Sequence, residues 1–141
     1  MNKLQVLFLT TLLSACAVTS ENVDKEAYLK PIDLTNNETR IKDYWVISKS
    51  IDPTYPSDAA RKGITGCVEF SFIIAKSGRA KNIEVLKAVP EKTFNKVAIK
   101  SLKKYRWTPA DSNTSLNPVL TTIQLDFSMT SNQVTPGCTL S

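Results

Sequence analysis

Three thiols, on Cys16, Cys67 and Cys138, are the most reactive side chains in a chain of 141 residues that contains no histidine. A thiol becomes a good nucleophile only when a neighbouring base or positive charge favours its thiolate. Without histidine the usual Ser-His and Cys-His pairs, the commonest general base and the commonest metal ligand are all missing. Three cysteines do not complete a four-ligand structural zinc site. The carboxylates Asp58, Glu69, Glu84 and Asp126 show no paired spacing for acid–base work, and no glycine-rich phosphate loop occurs. The chain is therefore expected to be neither an enzyme nor a holder of metal or cofactor.

The surroundings of the thiols point to other chemistry. Met1-Asn2-Lys3 is a short positive leader, followed by a mostly apolar stretch from Leu4 to Leu13. About ten helical residues rise only ~15 Å, whereas a spanning helix needs ~20 apolar residues. This stretch reads as the core of a secretory signal. Leu13-Ser14-Ala15-Cys16 resembles a bacterial lipobox, which implies cleavage before Cys16 and acylation of its thiol. More than one acyl chain gives stable anchoring. Ala17 follows, not the Asp that signals retention at the inner membrane, so an outer-membrane anchor facing the periplasm of a Gram-negative envelope is expected. That compartment permits a disulfide between Cys67 and Cys138. Two apolar core thiols, or pairing between chains, are the alternatives.

These residues need elements to position them. The expected organisation is a signal peptide over 1–15, an acylated N-terminus and polar tether over 16–44, a folded domain over 45–130 and a tail over 131–141. Residues 17–44 carry six acidic and four basic side chains and few large apolar ones. Tyr44-Trp45-Val46-Ile47 is an apolar island that reads as a short strand docking on the domain edge. Ser57 to Gly63 reads as a short helix, with Ser57 as its cap and Gly63 as its stop. From Cys67 to Ala75 apolar residues alternate, with Val68, Phe70, Phe72 and Ile74 on one face, as a half-buried strand requires. Gly78 turns a hairpin, and a second strand runs from Ala80 to Leu86. Phe94, Val97, Ala98, Ser101, Leu102 and Tyr105 fall on one stripe of a helix that starts near Pro90. A last strand spans Val119 to Phe127.

The order β-β-α-β predicts an α+β fold. Its expected form is a two-layer sandwich of a three-stranded antiparallel sheet, order 2-1-3, with one main helix on one face. The last strand then lies on an edge, beside the strand that begins at Cys67, so a tail bridge from Cys138 is within reach. An edge strand presents unpaired N–H and C=O groups, and a foreign strand adds to such an edge by β-augmentation.

Several stretches in order resemble the C-terminal domain of the TonB family. They are Pro53-Thr54-Tyr55-Pro56, Gly63-Ile64-Thr65-Gly66, the strand Val68 to Ile74, the turn Ser77-Gly78-Arg79, Asn82-Ile83, Val85-Leu86, Pro90, Phe94, and the exit Tyr105-Arg106-Trp107-Thr108-Pro109. The likeness covers about Asp52 to Phe127. It implies a periplasmic domain that binds outer-membrane receptors, with the receptor's short N-terminal segment paired against the last strand. Leu120, Thr122, Gln124 and Asp126 would then tune specificity, and Asp52 and Tyr55 would touch the same segment. Asp52 stands where the family often has a neutral amide. Energy transducers of that family carry an uncleaved membrane helix with a functional histidine and a long Pro-rich spacer. Here a lipobox, a short tether and no histidine imply binding without coupling to a motor.

Residues 45–130 hold 13 Lys+Arg against 7 Asp+Glu, a net +6. Lys92, Lys96, Lys100, Lys103 and Lys104 fall on the outer side of the helix. They read as a solvated back or as a surface attracted to peptidoglycan or anionic lipid; nucleic acid is not an expected partner outside the cytoplasm. Two functions stay open. One is binding a peptide strand of an outer-membrane receptor or of the transport machinery. The other is a structural envelope protein, homodimeric or peptidoglycan-binding.

Overall fold

Alternation along the chain decides the centre of the molecule. In the computed structural model, which describes residues 30–130, Val68, Phe70, Phe72 and Ile74 sit on the inner face of strand β3 (Gly66–Ile74), essentially without solvent contact. Strand β4 (Ala80–Val89) returns beside it through a turn at residues 75–79. Gly78 makes that turn in the left-handed region, at φ +67°, and a Cβ there would stand 2.1 Å from the carbonyl oxygen of Trp107. Only glycine meets both demands.

Of four further elements, the two helices and the last strand were expected in outline, and the strand at Arg106–Pro109 was not. Helix α1 (Ser57–Arg61) has Pro56, not Ser57, at its cap position. Helix α2 (Asn95–Leu102) lays Ala98, Ser101 and Leu102 on the sheet. Strand β5 (Arg106–Pro109) follows, and strand β6 (Val119–Phe127) closes the chain against β3. The helix starts later than Pro90 because β4 continues to Val89. The Val89–Pro90 peptide is cis, and Lys92 turns with φ 65° before Phe94 enters the core.

The α+β sandwich stands, with a corrected sheet. Strand β1 (Ile32–Asp33) adds a fourth member, giving the order β1-β6-β3-β4. β1 is parallel to β6; the other pairs are antiparallel. The sheet is therefore mixed and four-stranded, not a purely antiparallel three. A second sheet joins strand β2 (Trp45–Lys49) to β5.

Residues 32–43, expected within the tether, are thus part of the fold. A 3-10 helix spans Glu38–Asp43. Leu34 is 4% exposed and Trp45 1%. Burying side chains of this size stabilises by ~1.5–3 kcal/mol each, enough to hold a segment that is polar on average. The Trp45 indole N–H donates to the Asn117 carbonyl at 2.8 Å. Buried Asn113 donates through Nδ2 to the Tyr44 carbonyl at 3.0 Å, and its Oδ1 accepts the Asn117 N–H at 2.8 Å.

Candidate functional site

An edge can accept a strand only if it is straight and its polar groups are reachable. β6 pairs with β3 without a register break over its whole length, from Gly66 opposite Phe127 to Ile74 opposite Val119. On its other side β1 takes only the first two positions, with Ile32 opposite Val119 and Asp33 opposite Leu120. The Ile32 N–H donates to the Pro118 carbonyl at 2.8 Å, and the Leu34 N–H to the Leu120 carbonyl at 2.9 Å. Strand backbones alternate direction along the chain. Since Leu120 turns its carbonyl toward β1, Thr122 and Asp126 also turn theirs away from β3. Among the described residues no strand pairs with the β1 side of β6 beyond Leu120.

The opposite edge is different. β4 breaks register against β3 twice, between Glu69 and Phe70 and between Ser71 and Ile73. Asn82 adopts φ 48°. Such bulges twist an edge and spoil it as a template.

The residues expected to bind peptide fall in three places. Leu120 and Thr122 line a shallow groove of about 470 Å³ on the sheet face, with Ser71, Ile73, Glu84 and Leu86. The Thr122 hydroxyl donates to the Glu38 carboxylate. Gln124 Nε2 donates to Asp126 Oδ1 at 2.8 Å. Asp52 is elsewhere, in a cleft of about 270 Å³ beside α2 with Val97, Lys100 and Lys104. There the Ser101 hydroxyl donates to the Ile51 carbonyl. Burial, and second the negative charge of Asp52, raise the Tyr105 phenol above its ordinary value.

Tyr55 is in the third place. Its hydroxyl donates to the Ile64 carbonyl at 2.7 Å, and its ring stands edge-on to Phe94 and Phe127, with centroids 5.6 and 5.9 Å away. Phe94 and Phe127 stack at 4.1 Å. Tyr55 therefore braces the far end of β6 from inside. Cys67 is fully buried, opposite Val89 on one side and Asp126 on the other. Cys16 and Cys138 lie outside the described residues, as does the signal segment.

Asp33 and Glu38 were read as tether charges, yet both act at this edge. Asp33 Oδ1 accepts the Thr35 N–H at 2.9 Å and the Thr35 hydroxyl at 2.7 Å. These bonds hold its carboxyl below the ordinary carboxylate value. The signal was present as the Asp-x-Thr spacing of an Asx turn, hidden by the acidity around it.

Residues 51–129 match the family model described as Gram-negative bacterial TonB protein C-terminal. The chain belongs to the TonB C-terminal family. It is similar to Protein TonB of Pseudomonas aeruginosa, 37% identical over 57 residues that cover 40% of this chain and 17% of that protein. It is similar also to Protein TonB of Yersinia enterocolitica, 34% identical over 55 residues covering 39% and 22%. The chain thus spans well under a third of the length of these curated relatives. Among solved structures it resembles the solution NMR structure of the Pseudomonas aeruginosa TonB CTD, with TM-score 0.54 and 26% identity. That likeness covers 63% of this chain and 90% of that one. The TonB-type domain takes in both β3–β6 and α2, while β1, the 3-10 helix and β2 lie upstream of the family match. Among the described residues no helix is long and apolar enough to cross a membrane.

Proposed function

We propose that this protein is a lipid-anchored, periplasm-facing envelope component whose TonB-type domain binds an extended peptide segment of an outer-membrane receptor by strand addition to β6. One observation carries the reading. The ladder of β6 against β3 runs without a register break from Val119 to Phe127, on the domain that defines the family. TonB-family C-terminal domains interact with outer-membrane receptors in general. Acylation of Cys16 supplies the anchor, and the absence of histidine supports binding without energy transduction. A bridge from Cys67 to Cys138 would pin the tail near the end of β6. In its support, Cys67 is engaged and is not a free thiol.

Calorimetric titration of the full chain in detergent with synthetic peptides copied from receptor N-terminal segments tests the reading. Saturable binding that Thr122→Pro weakens on the order of tenfold is expected. A panel of such peptides giving no heat with folded protein rejects it. Mass spectrometry of the Cys16 peptide tests the anchor.

A second reading rests on the helix back. Lys96, Lys100, Lys103 and Lys104 are exposed and make no ion pair among the described residues. They support attachment to peptidoglycan or anionic lipid, with the domain as a structural, homodimeric element. Retention on purified peptidoglycan that falls with salt, together with a concentration-dependent dimer in sedimentation, would favour it.

A further inference from the structure

The main sheet has two faces, and the core fills only one of them. Val68, Phe70, Phe72 and Ile74 of β3 point into the core cluster, whereas Ile73 points the other way and is not part of it. On that outer face Ile73 stands opposite Leu120 of β6. Leu86 of β4 rises beside them, 55% exposed. These three side chains floor the groove of about 470 Å³ that opens across the strands, over β3. Its volume falls within the ~300–1,000 Å³ of ligand sites. A lone exposed leucine is ordinary. A leucine that walls a concave groove with two further aliphatic side chains is a contact surface.

The rims of the groove decide its occupant. Its charged lining residues are Asp33 and Glu84. Past Thr35 and Thr122 it runs into a second trough, of about 490 Å³, whose charged lining residues are Glu38 and Glu69. Among the described residues no lysine or arginine lines either space, and none of the four carboxylates is in an ion pair. Lys81 and Lys87 stand on β4 opposite Ile73 and Glu69, yet neither pairs with these carboxylates. An anionic lipid headgroup or a peptidoglycan carboxylate would meet like charge here. A second copy laid face to face would set the same carboxylates against each other. We propose that the groove is a docking site for an aliphatic side chain flanked by lysine or arginine, presented by a segment of another protein. Exposed charges contribute little affinity each. The apolar floor therefore holds the segment, and the carboxylates choose it. This site is made of side chains on the sheet face and does not depend on a strand being added to β6.

NMR titration of the full chain in zwitterionic detergent tests this, with a capped peptide that carries one leucine between pairs of lysines. Saturable shifts are expected at Ile73, Leu86 and Leu120. A twin peptide with serine for leucine, and another with glutamate for lysine, are each expected to bind about tenfold more weakly. Raising the salt from about 0.05 to about 0.3 M is expected to weaken binding several-fold. Leu86→Lys is expected to lose about tenfold or more of this affinity while leaving that for receptor-segment peptides as it was. Glu84→Gln is expected to lose about twofold. Equal binding of either twin, full affinity in Leu86→Lys, or no shift at the three residues overturns the proposal. Shifts at the groove on dilution of the free protein would make a second copy the occupant, and contacts of Leu140 with Leu86 in the free protein would make it the chain's own tail. Either result overturns the proposal, and both leave the strand-addition reading to its own test with receptor segments.

Discussion

The two edges of one sheet have had opposite histories. Against β3, β6 keeps perfect step over its full length, while β4 slips twice and carries a left-handed Asn82. β4 also shows its apolar side chains to solvent, with Leu86 55% exposed, and has no described strand beyond it. Openness alone would therefore pick β4 as the docking edge. Straightness picks β6. The lesson is that an acceptor edge is recognised by an intact ladder on its inner side, because a foreign strand copies the geometry of the strand it joins. Bulges do the reverse, bending the template so that few consecutive bonds can form.

The largest effect that tests this contrast separates two neighbours on β6. Ile123 directs its N–H to β3, opposite Phe70, so Ile123→Pro breaks the internal ladder. It is expected to cost about 3 kcal/mol or more and to abolish cooperative unfolding. Thr122 directs its N–H outward, so Thr122→Pro is expected to leave stability within about 1 kcal/mol and weaken peptide binding on the order of tenfold. Denaturant titration and calorimetry on the pair check both halves. Equal destabilisation by the two prolines would mean that the outward and inward residues of β6 are assigned the wrong way round.

A smaller change sharpens the core side of β6. Thr121 is buried, and its hydroxyl has no hydrogen-bond partner among the described residues. Thr121→Val keeps the shape and removes the orphan group, so a gain of about 1 kcal/mol in urea unfolding is expected. Peptide affinity should not move, because the side chain faces away from the docking surface.

On β4 the expected effect is close to nothing. Leu86→Lys is predicted to change stability by less than about 0.5 kcal/mol and leave peptide affinity unchanged. If it weakens peptide binding instead, the ranking of the two edges is reversed.

The last test is pH. The Asp33 carboxyl titrates below its ordinary value of 3.8 because Thr35 bonds favour the charged form. The contribution of a group lowered in this way is complete above 3.8 and disappears as pH falls through the lowered value. Protection of the Ile32 and Leu34 amides should thus be flat from pH 7 to about 4.5 and fall only in stronger acid. A loss near neutrality would show that something other than Asp33 holds the turn.

Most of the sandwich was legible because its strands and helix bury long, periodic faces. Val68 to Ile74 alternates, Val119 to Phe127 alternates, and Phe94 to Leu102 repeats at helical spacing. The central place of β3 followed from connection lengths. What escaped has short or absent periods. β1 has two residues, only one of them apolar, and depends on rungs offered by a strand nearly ninety positions away. β5 ends on Pro109 and shows no alternation, so its pairing with β2 was invisible. Pro90-Glu91 carries a fair helix-start signal, which the continuing β4 overrides. Asn113 looked like loop filler, although its side chain joins Tyr44 to Asn117. For the site, the even-numbered residues of β6 were readable from period two. Asp52 and Tyr55 were grouped with them by likeness alone, and the structure puts them beside α2 and inside the aromatic cluster.

Where β1 attaches also governs how the domain would bear tension. Pulling on the backbone upstream of Lys30 reaches the two amide rungs at Pro118 and Leu120 before it reaches the indole of Trp45, sunk in the interior. Those rungs and the buried Leu34 side chain are the first attachments such a load meets, ahead of the core around Trp45.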